Sequence, residues 1–237
     1  MQHDKCGQKV TTDSLLLGSW CHIENVHHAL DIGTGSGLLA LMLAQRIENY
    51  AMVDAIDIDA AAVAQAKENV SNSPWPEKIK VIQASLQNYH PEQLFELIVC
   101  NPPYFPQRHY KNSDHYQPDK QRRQAREQDS LSFFTLCQRV SELIAGKGRF
   151  ATIIPISGES DMLNALQKNS LSIHRLLRVR PTASQTPKLL LIESGPSTSV
   201  AEVLEKELVI RHSDNTYTQE YQTLCRDFYL NFPGAGK

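Results

Sequence analysis

Residues 28 to 47 read HALDIGTGSGLLALMLAQRI: a short apolar run, a turn with glycine at every second position, and an apolar helical pattern, placed directly in series. A strand that feeds straight into a helix needs a crossover before the next strand can lie beside it, and such crossovers build parallel sheets. The arrangement recurs along the chain. MVDAIDID is a second strand, and AAAVAQAKENVSNS an Ala-rich amphipathic helix running out into the breaker cluster SPWPEK. IKVIQASL and FELIVC are a third and a fourth strand, RFATIIPI a fifth, and ESDMLNALQKNSL a helix. SLSFFTLCQRVSELIAGKG has helical spacing, with Gly146 and Gly148 expected to stop it. SIHRLLRVRP and PKLLLIES read as two late strands, one of them antiparallel. Ahead of the glycine turn, TDSLLLGSW reads as a helix over about residues 11–20, capped by Thr12 or Asp13 with its leucines inward. The expected fold is α/β: a doubly wound, Rossmann-like sheet, mostly parallel, with helices on both faces. No repeat, linker or composition break divides residues 1–237, so a single domain is expected.

A formal net charge of −2 excludes a general polyanion binder, and any nucleic-acid partner would have to be held by a local patch. Cys6, Cys21, Cys100, Cys137 and Cys225 show no CxxC spacing, and an odd number argues for reduced thiols in a cytosolic protein. Cys100 ends an apolar run and reads as a small buried residue rather than a nucleophile. MQHDKCGQKV carries no apolar leader, and no run approaches the roughly 20 apolar residues of a membrane span, so a soluble, cytoplasmic protein is expected. No His/Cys cluster has ligand spacing, so no metal is expected, and His27 and His28 read as surface positions.

LDIGTGSG sets Asp31, Gly33, Gly35 and Gly37 where the first strand meets its helix. Glycine permits positive φ and lets backbone amides approach a ligand closely. A dinucleotide turn is written GxGxxG. Here the third glycine comes one position early, as DxGxGxG, which resembles the cofactor turn of S-adenosylmethionine-dependent methyltransferases and disfavours a nicotinamide enzyme. Asp57, about twenty residues on at the end of AIDID and followed by Ile58, can accept both hydrogen bonds of a ribose diol. Asp59 competes for that role but is better placed to cap the next helix. At the end of the third strand, where such enzymes often hold the adenine amino group with Asp, the chain offers Ser85, a weaker acceptor. A methyl sulfonium is already an activated electrophile, so the main demand on the protein is alignment, worth about 7–11 kcal/mol of barrier.

IVCNPPYFPQRHY, residues 98 to 110, ends the fourth strand in a rigid turn. The NH2 of an aromatic ring or an amide is a poor nucleophile because its lone pair is delocalised. The Asn101 side-chain oxygen and the Pro102 carbonyl can grip its two N–H groups, Pro102 and Pro103 keep that carbonyl aimed, and Tyr104 can stack on a planar substrate. The order DxGxGxG, Asp57, NPPY therefore points to methylation of a planar amine.

From DKCGQKVTTDSLLLGSW through DIGTGSGLLALMLAQR, IDIDAAAVAQAKENV, SPWPEKIKVIQAS, LIVCNPPYF and RRQAREQ to LVIRHSDNTYTQEYQTLCRDFYLNF, the chain resembles the bacterial tRNA1(Val) adenine-37 N6-methyltransferases over nearly its whole length. The closing segment is the most specific piece. The resemblance implies bound S-adenosylmethionine and methyl transfer to the adenine 6-amino group beside a valine anticodon. It assigns Asp31 through Gly37 and Asp57 to the cofactor, Asn101 through Tyr104 to the target base, and the segment holding Lys9, Thr12 and Asp13 to the cofactor's methionine end. Ser85 in place of Asp and a short leading segment are its departures.

The residues read alone are compatible with RNA. Residues 104–129 lack apolar periodicity and form a candidate substrate loop, with Phe105, Arg108, Lys111, Lys120, Arg122, Arg123 and Arg126 set among Tyr104, Tyr110 and Tyr116. Arg175, Arg178, Arg180 and Lys188 add further basic charge, and a solvated loop without a partner is the competing reading. An anticodon loop as partner and a monomer are the expectation. Other planar amines remain open: a release-factor glutamine, which would call for an added N-terminal helical domain, a DNA adenine or an rRNA base. So does an RNA-binding module that has lost catalysis.

Overall fold

The computed structural model describes residues 12–103, 132–196 and 202–229. Within them, β1 (His28–Ile32), β2 (Met52–Asp57), β3 (Ile79–Gln83), β4 (Phe95–Cys100), β5 (Ile144–Pro155), β6 (Leu171–Thr182), β7 (Leu189–Pro196) and β8 (Leu204–Arg211) form one sheet. Its order is β3-β2-β1-β4-β5-β7-β6-β8. β7 is antiparallel to β5 and β6, and the other pairings are parallel. The helices are α1 (Thr12–Trp20), α2 (Leu38–Arg46), α3 (Ala60–Ser71), α4 (Phe133–Leu143), α5 (Glu159–Lys168) and α6 (Gln219–Cys225).

Side chains alternate across each strand, and both faces are covered. Ala29, Val53, Val99 and Ile153 meet Leu16 and Leu17 of α1, Leu39 and Leu43 of α2, and Tyr221 of α6. On the other face Leu30, Ile56, Ile98 and Ile154 meet Leu136 and Val140 of α4 and Met162 and Leu166 of α5. The central strands are apolar on both faces, which is why FELIVC reads as an almost unbroken apolar run.

α1 is fixed at several points. Leu16 and Leu17 are fully buried, and a Cβ on Gly18 would fall 2.6 Å from the Met42 thioether, so α1 and α2 meet at close range. Arg46 donates to the Gly18 carbonyl (2.5 Å), while Arg175 donates to the Trp20 carbonyl (3.3 Å) and lies over the Trp20 ring at 4.3 Å. Arg175 in turn pairs with Glu193, buried in β7. Burial pushes the Glu193 carboxyl up, but the Arg175 hydrogen bonds and charge outweigh it and hold the group below its usual range.

Two readings of the sequence are corrected. Gly146 and Gly148 do not end α4; it stops at Leu143, because Ile144 is buried and pairs with Phe95 as the first residue of β5. The β4–β5 register then shifts between Phe95 and Leu97, and the glycines lie in that irregular stretch. IKVIQASL is also shorter as a strand, since Leu86–Asn88 turns into a 3-10 helix. The closing segment supplies β8 and α6, which sequence patterning left without an element.

The two glycines differ in their surroundings. A Cβ on Gly148 would stand 2.7 Å from the Phe95 carbonyl oxygen and 3.0 Å from that of Ala145, whereas one on Gly146 would meet nothing within 4 Å. Gly148→Ala should lower unfolding free energy by about 1–3 kcal/mol. Gly146→Ala should stay within about 0.5 kcal/mol of wild type. Urea titration of both variants checks the pair, and equal stabilities would contradict the tight packing at Gly148.

Candidate active site

β3, β2, β1 and β4 lie side by side with their carboxyl ends on one rim, and the sequence order reverses between β1 and β4. Such switch points hold ligands in open α/β sheets. Ile32 pairs with Cys100, so Gly33 and Asn101 leave adjacent strands about 5 Å apart. Ile32 also pairs with Ile56, which brings Asp57 to the other side of the glycine turn.

The turn is built from backbone that other residues would adopt only under strain. Gly33, Gly35 and Gly37 have φ of 70°, 56° and 82°. The Gly33 and Thr34 N–H groups donate to the Ile56 carbonyl (2.9 and 3.0 Å), and the Gly35 N–H donates to Asp57 Oδ2 (2.8 Å). Asp57 Oδ1 accepts from the Asp59 N–H (2.9 Å), while the Asp59 side chain caps α3 by accepting from Ala61 N–H (2.8 Å). Asp57 is thus a half-buried acceptor held from two sides, and Ile58 next to it is 60% exposed, an apolar face on a polar rim. Ser85 is half-buried just past β3, on a stretch tied back by the Ala84 N–H to the Asp57 carbonyl (3.0 Å).

Asp31 is fully buried on the α2 side of β1. Its Oδ2 accepts from the Thr34 hydroxyl (2.6 Å) and the Ala40 N–H (3.1 Å), and its buried Oδ1 has no hydrogen-bond partner among the described residues. Desolvation raises its pKa to about 7 against those two hydrogen bonds, with the nearby Asp57 charge adding to the rise. A Cβ on Gly33 or Gly35 would meet nothing within 4 Å among the described residues. An open glycine cradle, an orphaned carboxylate oxygen, an exposed Ile58 and the acceptor Asp57 fit a ligand with a cationic end, a ribose and a flat apolar ring. S-adenosylmethionine has all three.

Asn101 is half-buried and Pro102 buried. Asn101 Nδ2 donates to the Ser14 hydroxyl on α1 (2.9 Å), a contact 87 residues apart in sequence that no local motif signals. Thr34 lies within the span assigned to the cofactor, but its position in DxGxGxG is a variable one and gave its side chain no role of its own. Pro103 is exposed beside these residues. Asp13 sits half-buried in the first turn of α1, and Thr12 lines a cavity of about 390 Å³ with Leu38, Leu41 and Trp75. Cys100 is buried at the end of β4 with its thiol pushed well up by burial, as a packing residue would be. Lys9, Tyr104, Phe105, Arg108, Lys111, Arg122, Arg123 and Arg126 lie outside the described residues.

Of the later basic residues, the three arginines are ion-paired, while Lys188 is exposed. Arg175 pairs with Glu193 (2.6 Å), Arg178 bridges Glu159 (2.6 Å) and Glu205 (2.5 Å), and Arg180 pairs with Glu207 (2.9 Å). These three cations tie β6 to its neighbours, and their charge is largely neutralised. Among the described residues, no group of three or more His, Cys, Asp or Glu is placed to hold a metal, and no helix is long and apolar enough to cross a membrane.

Comparison with known proteins bears directly on this site. The methyltransferase small domain family matches residues 6–115. A Parabacteroides distasonis protein named tRNA1(Val) (adenine(37)-N6)-methyltransferase is 40% identical, over 96% of this chain and 93% of its own. The chain belongs to the tRNA1(Val) (adenine(37)-N6)-methyltransferase family. Relatives bearing that name in Bacteroides thetaiotaomicron (39% identical, 97% of this chain and 93% of theirs) and Salmonella typhi (38%, 96% and 91%) agree. In fold the chain is similar to a solved Agrobacterium tumefaciens structure described as a predicted O-methyltransferase, with a TM-score of 0.69 at 16% identity over 90% of this chain and 95% of that one. A ribosomal protein L11 methylase of Lactobacillus delbrueckii subsp. bulgaricus gives 0.54 at 18% identity, over 77% and 76%.

The buried Asp31 makes the ligand-free protein sensitive to pH. Its folded pKa, about 7, lies above its unfolded value, so the folded state binds the extra proton and stability falls as pH rises from about 4 through 7. Asp31→Asn, which keeps an oxygen for Thr34 and Ala40, should remove up to about 4 kcal/mol of that decline. Urea titrations across this range check it, and identical pH profiles for variant and wild type would contradict an Asp31 titrating near neutrality.

Proposed function

We propose that this protein transfers the methyl group of S-adenosylmethionine to N6 of adenine 37 in the anticodon loop of tRNA(Val). The observation that carries the reading is the adjacency of Asn101-Pro102 and the glycine turn at one switch point, in a chain whose relatives carry the name of that reaction. The cofactor supplies an electrophilic methyl group. Gly33, Gly35 and Gly37 cradle it, Asp31 balances its cationic end, Asp57 receives the ribose diol, Ile58 packs on the adenine, and Ser85 stands at the adenine edge. Lys9, Thr12 and Asp13 close over the methionine end.

The target N6 starts with its lone pair delocalised into the ring. Asn101 Oδ1 and the Pro102 carbonyl accept its two N–H groups, an arrangement that favours the pyramidal nitrogen of the transition state. Pro102 and Pro103 fix the backbone so the carbonyl need not reorganise, and Tyr104 stacks on the base for about 1–3 kcal/mol. An anticodon-loop base is already unpaired, so extruding it costs less than flipping one out of a duplex. Phe105, Arg108, Lys111, Arg122, Arg123 and Arg126 supply rings and charge for the RNA strand. The protein acts as a single domain and a monomer, in the cytoplasm where its substrate is found, without a metal.

Incubation with methyl-tritiated cofactor and unmodified tRNA(Val), beside a copy with guanine at position 37, tests the reading. Label should appear in the first RNA alone and digest to N6-methyladenosine. Equal label in both, or label in neither, would overturn it.

A further inference from the structure

We infer that Ser14 is a positioning residue for methyl transfer, acting through Asn101; the inference rests on the reading of Asn101 given above. A carboxamide presents an acceptor and a donor of nearly the same size at its two ends. Only the oxygen can receive an N–H of the target amine. An Asn101 rotated by half a turn would instead point N–H against N–H, and the site would lose one of its two acceptors while gaining a repulsion. Something must therefore hold the amide one way round.

Ser14 does so. Its hydroxyl oxygen accepts from Asn101 Nδ2 at 2.9 Å, which directs the amide nitrogen toward α1 and the oxygen away from it. The same bond tethers the carboxamide to α1, so the side chain is held in place before the target arrives. The anchor is stiff because α1 is stiff: Leu16 and Leu17 are buried next to Ser14, and the carbonyls of Gly18 and Trp20 are held by Arg46 and Arg175. Ser14 needs no contact with RNA or cofactor for this. It anchors a short chain of hydrogen bonds, from the target N–H to Asn101 Oδ1 and from Asn101 Nδ2 to Ser14 Oγ.

A structural role for Ser14 would change stability or binding, whereas a positioning role changes turnover once both substrates are bound. Ser14→Ala and Ser14→Thr are compared with wild type on tRNA(Val), with kcat and the tRNA KM from initial rates, cofactor Kd from calorimetry and Tm from thermal melts. Ser14→Ala should lower kcat about 3- to 10-fold, the span of one neutral hydrogen bond, with KM, Kd and Tm unchanged. Ser14→Thr, which keeps the hydroxyl, should recover most of the loss. An active wild type matched by Ser14→Ala in kcat, a loss in Ser14→Ala carried by KM, Kd or Tm, or a Ser14→Thr as slow as Ser14→Ala would each overturn the Ser14 role alone. A wild type without activity on this RNA would overturn the reading of Asn101 on which it stands.

Discussion

Two carboxylates from neighbouring strands hold the backbone that crosses from β1 into α2. Asp57 accepts from the Gly35 N–H at 2.8 Å, and Asp31 accepts from the Thr34 hydroxyl at 2.6 Å and the Ala40 N–H at 3.1 Å. Between them they fix three glycines at positive φ, a path that costs backbone entropy and has little packing of its own. Asp31 remains fully buried with one oxygen unpaired among the described residues, which is unfavourable for the fold. A buried, half-satisfied carboxylate beside the glycine turn fits the cationic end of the cofactor proposed for it.

The rest of the rim follows from sheet order. Parallel pairing of β3, β2, β1 and β4 delivers Ser85, Asp57, Gly33 and Asn101 to one edge in that spatial sequence, although they are scattered over more than sixty positions of chain. α1 adds a constraint from outside this set. It packs on α2, is clamped by Arg46 and Arg175, and through Ser14 reaches the residue that follows β4. Arg175 is itself positioned by Glu193 in β7, so the antiparallel strand, distant from the glycine turn, helps to place α1.

Much of this was legible in the sequence because the decisive signals are local. Alternating strand and helix, glycine spacing and the NPPY turn each depend on neighbours along the chain, and the mostly parallel sheet with its late antiparallel strand was read from them. What escaped the reading depends on partners far away in sequence. Gly146 and Gly148 look like a helix stop until the pairing of Ile144 with Phe95 ends α4 earlier. β8 carries the exposed charged run Glu205, Lys206 and Glu207, which masks its short apolar stretch from Leu208 to Ile210; Arg178 and Arg180 on β6 bind Glu205 and Glu207 of that strand. Through those pairs the arginines, read in sequence as further basic charge, fasten the sheet in the fold. Ser14 and Asn101 meet only once the sheet and α1 are assembled.

In the proposed reaction the turn after β4 performs the chemistry while the turn after β1 holds the cofactor, two neighbouring loops with separable tasks. The most direct measurement is the single-turnover rate of methyl transfer by Asn101→Ala with saturating cofactor and tRNA, taken together with its cofactor Kd. The rate should fall about 100-fold or more with the Kd unchanged. A rate equal to that of wild type, or a loss explained by weakened cofactor binding, would contradict it.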